Sequence, residues 1–96
     1  MIRHIVIFKI SDAGNIEILN TVKEKLLSLP AKIDVIKFFQ VGLNYSESPN
    51  AYDLVLVADF NSKSDLSIYA KHPEHLKVLE FITENTSDRK VVDFIN

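Results

Sequence analysis

Cysteine is absent from the 96 residues, and that absence removes several chemistries at once. Disulfides, thiolate zinc sites, iron–sulfur clusters and a cysteine nucleophile are all excluded. Only two glycines occur, too few for a phosphate-cradling loop or a dinucleotide fingerprint, and neither G-x-S-x-G nor H-E-x-x-H is present. Tryptophan is also missing, and with three prolines beside the two glycines there is no long linker. No apolar run approaches the ~20 residues that span a bilayer. The opening "MIRHIVIFKI" has the arginine and apolar residues of a signal peptide, but His4 and Lys9 interrupt it and no small-residue cleavage site follows. Basic runs are lacking too: 11 Lys and Arg stand against 13 Asp and Glu, which gives electrostatic nucleic-acid binding little support. The expectation is a cytoplasmic protein with neither a membrane nor a nucleic-acid partner.

What is present is ordinary globular composition, 47% hydrophobic and 25% charged, in a length that predicts one domain over 1–96 with one modest core. Residues 2–10, "IRHIVIFKI", are β-branched and aromatic and read as a strand. His4, Val6 and Phe8 share one face; Ile5 and Ile7 share the other, with Arg3 and Lys9 at its ends. Both faces are apolar in the middle, as in a central strand. Ile16, Leu19, Val22, Leu26 and Leu29 then recur at helical spacing, with Asn15 or Asp12 as cap and Pro30 as stop.

A second strand is predicted over 35–41, a turn from Gly42 through "NYSESPN", and a third strand over 51–60. On that strand Tyr52, Leu54, Leu56, Ala58 and Phe60 alternate with Asp53, Val55, Val57 and Asp59. The two aspartates lie too far apart for a tight dyad. Ser62 and Asp65 have the spacing of a capping box. A short helix over 64–71 should end before His72–Pro73, because the residue before proline avoids the α region. Pro73 suits the first position of a new helix, which carries Leu76, Leu79 and Ile82 and ends in "ENTSD". Residues 89–95 close the chain as a strand.

The order β-α-β-β-α-β, with right-handed crossovers, predicts an α+β ferredoxin-like fold: a four-stranded antiparallel sheet with helices on one face. The other face keeps apolar side chains from several strands. Such an area exceeds the few hundred Å2 that monomers usually expose, so a homodimer with its sheets face to face is expected.

The residues carrying that order are similar to a known family. "RHIVIFK", "VGLNYSES", "YDLVLVADF", "DLSIYAKHPEHLKV" and the closing "VVDF" resemble the stress-responsive dimeric α/β-barrel domain, a branch of the ferredoxin-like dimeric barrels. The H-P-x-H segment after a tyrosine is the most specific part. The family includes stress-linked oligomeric proteins and a few polyketide-cyclising enzymes. In the cyclising members a tyrosine and a histidine of this segment perform acid–base chemistry at a pocket between sheet and helices, and a first-strand histidine lines it. Carried over, the resemblance implies Tyr69, His75 and His4 as catalytic residues. It implies a ligand pocket that draws on Val6 and Phe8, on His72 before the proline, and on Val22 of the first helix. Those enzymes have an aromatic on that helix, which here has none.

The local chemistry is consistent with this assignment. His75 falls at the third position of a helix, where free N–H groups and the helix dipole disfavour a second positive charge and burial pushes the same way. A neutral imidazole is what a general base requires. Tyr69, on the preceding helix, could turn its hydroxyl toward His75 and polarise a carbonyl while His75 removes an α-proton. Equally, Tyr69 could be a core residue and His75 a local cap. His72 suits a helix N-cap, and His4 suits a satisfied core or interface group. A metal site would need three or four converging ligands, and His72 and His75 are separated by the break at Pro73. No metal or cofactor is therefore expected. The leading reading is a small dimer binding an organic ligand in a histidine-lined pocket, with cofactor-free acid–base chemistry if it is an enzyme. The rivals are a non-enzymatic stress or assembly protein, and a cofactor-independent or haem-linked monooxygenase-like barrel.

Overall fold

The computed structural model describes residues 1–96. Its elements are β1 (Ile2–Ile10), α1 (Ile16–Leu27), β2 (Phe38–Leu43), β3 (Leu54–Phe60), α2 (Lys63–Lys71), α3 (Pro73–Asn85) and β4 (Thr86–Ile95). The strands form one antiparallel sheet in the order β2-β3-β1-β4. The expected ferredoxin-like fold is therefore the one observed.

Local signals account for most of the boundaries. Asn15 caps α1, its side-chain oxygen accepting from the Ile18 N–H, while its own amide donates to Asp12. Ser62 caps α2 by accepting from the Asp65 N–H. The helix over 63–85 breaks at His72, whose extended backbone (φ −63°, ψ 135°) lets Pro73 start α3.

Three strand boundaries differ from expectation. β2 covers 38–43 rather than 35–41. Ile33 is drawn into the core, the Ile36 N–H turns back to the Ile33 carbonyl, and sheet pairing starts only when the Lys37 N–H donates to Asp59. Gly42 lies inside the strand instead of opening a turn. A Cβ there would meet Val55 Cγ1 at 3.3 Å, so its small size serves close packing across the ladder. β3 begins at Leu54 rather than 51. β4 begins at Thr86 rather than 89, because α3 runs into it without a loop. The Asn85 amide donates to the Phe81 carbonyl and the Thr86 hydroxyl to the Ile82 carbonyl, satisfying the helix end.

The core lies between the sheet and the helices. Val6, Phe8, Leu54, Leu56, Ala58 and Phe60 project from the sheet onto Val22, Leu26, Leu29, Tyr69, Val78 and Ile82. Two apolar positions expected inside are solvent-facing, Ile16 on α1 and Leu76 on α3; Val78 takes the buried place on α3 instead. No helix is long and apolar enough to cross a membrane.

The sheet's other face carries Ile5 and Ile7 of β1, Val55 and Val57 of β3, Phe38 of β2, and Val92 and Phe94 of β4. No element of the chain covers it. Arg3 and Asp59 share this face in a two-pronged pair, both contacts at 2.8 Å. The guanidinium holds the Asp59 carboxyl below its ordinary range, more strongly than burial raises it.

Candidate functional site

A cavity of about 230 Å3 opens on the helix side of the sheet, against β1 and the edge strand β4. His4, Val6 and Phe8 of β1 and Arg89 and Val91 of β4 form its sheet wall. Tyr69 and Ala70 of α2 and His75, Leu79 and Ile82 of α3 form its helix wall. Strand alternation explains the first set: residues 4, 6 and 8 share a face, and antiparallel pairing places Asp93, Val91 and Arg89 opposite them.

The break at Pro73 positions His75. It lies in the first turn of α3, and its Nδ1 is 2.9 Å from the carbonyl oxygen of Ala70. A carbonyl only accepts, so Nδ1 carries the proton and donates. The lone pair of the neutral ring is then on Nε2. Burial lowers the His75 pKa below its usual value, and the nearby His4, Arg89 and His72 add to this, against the Ala70 carbonyl, which raises it. The site therefore holds a neutral imidazole with one nitrogen free to accept a proton.

Tyr69 is packed into the core, 1% exposed, with its ring 5.1 Å from that of Phe60 and 4.4 Å from that of His75. Its hydroxyl is the one buried side-chain polar atom without a hydrogen-bond partner. The hydroxyl makes no bond to His75, and Tyr69 is buried among core residues, one of the two alternatives the spacing left open. The two rings pack at 42° instead, with the imidazole held by the Ala70 carbonyl. Burial pushes the phenol well above its ordinary pKa, so the group is a permanent donor. An unmet buried donor costs about 1–3 kcal/mol.

His4 lines the cavity with its ring 6.1 Å from that of Tyr69. Its Nδ1 lies 2.5 Å from Asp93 Oδ1 on the neighbouring strand. This carboxylate fixes the ring and directs Nε2 away from Asp93. Asp93 had no local signal in the sequence. Only the β1–β4 register, which puts His4 opposite Asp93, could have revealed it. Arg89 was missed for the same reason.

Two residues expected in the pocket do not line it. His72 Nδ1 accepts from the Glu74 N–H and caps α3, which commits the ring to the helix end. Val22 is fully buried in the core beneath α1, away from the lining. Leu26, one turn further along α1, reaches the cavity in its place. Nowhere do three or more His, Asp or Glu side chains converge as a metal site would require.

This architecture is matched in known proteins. A stress-response A/B barrel domain-containing protein of Arabidopsis thaliana is 31% identical over 96 residues, covering 99% of this chain. The chain spans about a third (36%) of that protein's length. A dimeric ferredoxin-like protein of unknown function from Bacteroides fragilis is 34% identical, with a TM-score of 0.88 over 99% of this chain and 95% of its own. A second dimeric ferredoxin-like protein of unknown function, from Thermobifida fusca, is 30% identical, with a TM-score of 0.89 over 99% and 90% of the two chains. The Stress Responsive A/B Barrel Domain family matches over residues 2–96, and the chain belongs to that family.

Proposed function

We propose that the protein is a homodimer closed through the open faces of its sheets, and that each subunit binds a small organic molecule in the cavity between sheet and helices. Tyr69 donates to an acceptor oxygen of that molecule. His75 Nε2 takes a proton from the carbon beside it, and His4, held by Asp93, forms the third polar wall. The chemistry needs no cofactor.

One observation carries the ligand reading: the unpartnered Tyr69 hydroxyl belongs to a residue lining the same cavity as a neutral, oriented imidazole. A buried donor without an acceptor is an expense that folding alone does not explain. A ligand oxygen at that position removes it. The dimer reading rests on the uncovered face, apolar in its middle, with Arg3 and Asp59 at one end already paired within the chain. Both solved relatives above are described as dimeric.

The packing of Tyr69 on His75 favours a second reading, binding without turnover, because the tilted ring contact leaves the hydroxyl unbonded to the imidazole, with no relay between them. One experiment separates the readings. Small β-keto compounds are added in deuterated buffer, the His4, His72 and His75 ring signals are titrated by NMR, and α-proton exchange is followed. Exchange that depends on His75 supports acid–base chemistry. A ligand-induced shift of His75 without exchange supports binding alone. Ligand-blind histidines would remove both readings and leave a structural protein.

A further inference from the structure

The cavity's only permanently charged lining residue is Arg89, although the chain as a whole carries a net charge of −2. No aspartate or glutamate lines it. The Arg89 guanidinium makes no side-chain hydrogen bond or ion pair. Its own sequence neighbour Asp88 is engaged elsewhere, accepting from the Tyr52 hydroxyl and lying 3.6 Å from Lys90. The pairing of β4 with β1 explains the difference. Arg89 stands opposite Phe8 on the cavity side, whereas Asp88 and Lys90 stand opposite Lys9 and Ile7 on the open side. The remainder of the lining is mainly hydrophobic.

A planar cation at the exposed edge of an apolar chamber, with no carboxylate of its own, is built to receive one. We propose that the ligand is a small organic anion: a carboxylate held by Arg89, on an apolar body that fills the chamber against Val6, Phe8, Leu79 and Ile82. The size of the chamber bounds that body. A cavity of ~150 Å3 accepts benzene, and this one is about 230 Å3. A chain of roughly six to eight heavy atoms fits. This inference rests on the cavity being a ligand site. It adds the charge of the ligand and the residue that reads it. Arg89 also acts on His75: its charge is among those that hold the imidazole neutral. A bound carboxylate offsets that charge and raises the His75 pKa, so occupancy can be read from the imidazole signal.

The test compares hexanoate with hexanamide, which have nearly the same shape and differ in charge. The intact protein is titrated with each, following His75 by NMR at low and at physiological salt. Hexanoate should bind at least tenfold more tightly than hexanamide at low salt, lose part of that margin as salt screens the exposed guanidinium, and shift the His75 pKa upward. Arg89→Gln should abolish the margin, lowering hexanoate affinity at least tenfold and hexanamide affinity much less. Lys90→Gln removes the same charge one residue along on the opposite face, and should leave the margin intact. Equal affinity for the two compounds, or an equal loss with Lys90→Gln, overturns the anion inference and leaves the ligand site standing. Failure of both compounds to bind at millimolar concentration overturns the inference and the ligand site together.

Discussion

The two faces of the single sheet are made by the same strands, yet they are different surfaces. On β3, Leu54, Leu56, Ala58 and Phe60 point toward the helices and are buried, while Val55 and Val57 between them face outward and are only half-covered. The outward face is apolar in the middle, with the Arg3–Asp59 pair toward one end and Lys9, Asp88 and Lys90 toward the other. The inward face is apolar with polar groups at one end that the fold leaves incompletely used: Tyr69 without a partner, His75 with a free nitrogen, and Arg89 without an acid. In the proposed function the outward face meets a second subunit, and the open donors of the inward face meet a ligand acceptor. Composition cannot distinguish the two, since both are largely valine, leucine, isoleucine and phenylalanine.

The contrast can be broken most severely at adjacent residues. Leu56→Ala should cost the folded subunit about 2–5 kcal/mol, seen in urea titration at any protein concentration. Val57→Asp should instead leave the subunit folded and weaken self-association, on the order of 3 kcal/mol from an unpaired charge in the interface. Analytical ultracentrifugation should then show monomer for the variant and, on the proposed assembly, dimer for the parent. A Val57→Asp chain that remains dimeric would sink the face-to-face assembly. A smaller effect sharpens the inward side. Tyr69→Phe removes the unmet hydroxyl while keeping the ring, so stability should hold or rise by about 1 kcal/mol, while affinity for carbonyl ligands falls. A clear loss of stability would show the hydroxyl to be satisfied after all.

The smallest expected effect is in pH. His75 has a folded pKa below its unfolded value near 6.5. Between the two values the unfolded chain binds the extra proton, so stability should fall as pH drops below about 6.5 and level off once the folded pKa is passed. Above pH 6.5 the group should contribute no slope. His75→Gln should flatten this part of the stability curve relative to the parent, measured by chemical denaturation from pH 4.5 to 8.

Much of this was written locally in the chain. The alternation of 2–10, the caps at Asn15 and Ser62, and the helix restart at Pro73 are signals spanning a few residues, and each is found where the spacing puts it. The His72 cap is of the same kind. What was not legible depends on pairing between distant segments. His4 meets Asp93 across 89 residues, and Arg89 faces the cavity only because β4 is in register with β1. The onset of β2 failed similarly: Val35 and Ile36 have strand propensity, but burial of Ile33 held the chain in turns until residue 38. The Tyr69–His75 geometry was half legible. Proximity followed from the helix break, while a tilted ring contact in place of a hydrogen bond followed from the Ala70 carbonyl, which no spacing rule exposes.

The register of β4 on β1 constrains how the chain can vary in length. Beyond a register shift opposite Lys9 and Ile10, where Ser87 is the extra residue, Val92 and Phe94 on one side of β4 and Arg89, Val91 and Asp93 on the other keep strict alternation against β1 from Asp88 onward. One residue inserted or removed there would turn the strand over, moving the arginine and the aspartate to the outer face and the valine and phenylalanine inward. The loop from Asn44 to Asp53 is exposed over most of its length and faces no such requirement. Insertions and deletions among natural variants of this chain should therefore gather in that loop and be absent from β4 beyond Asp88.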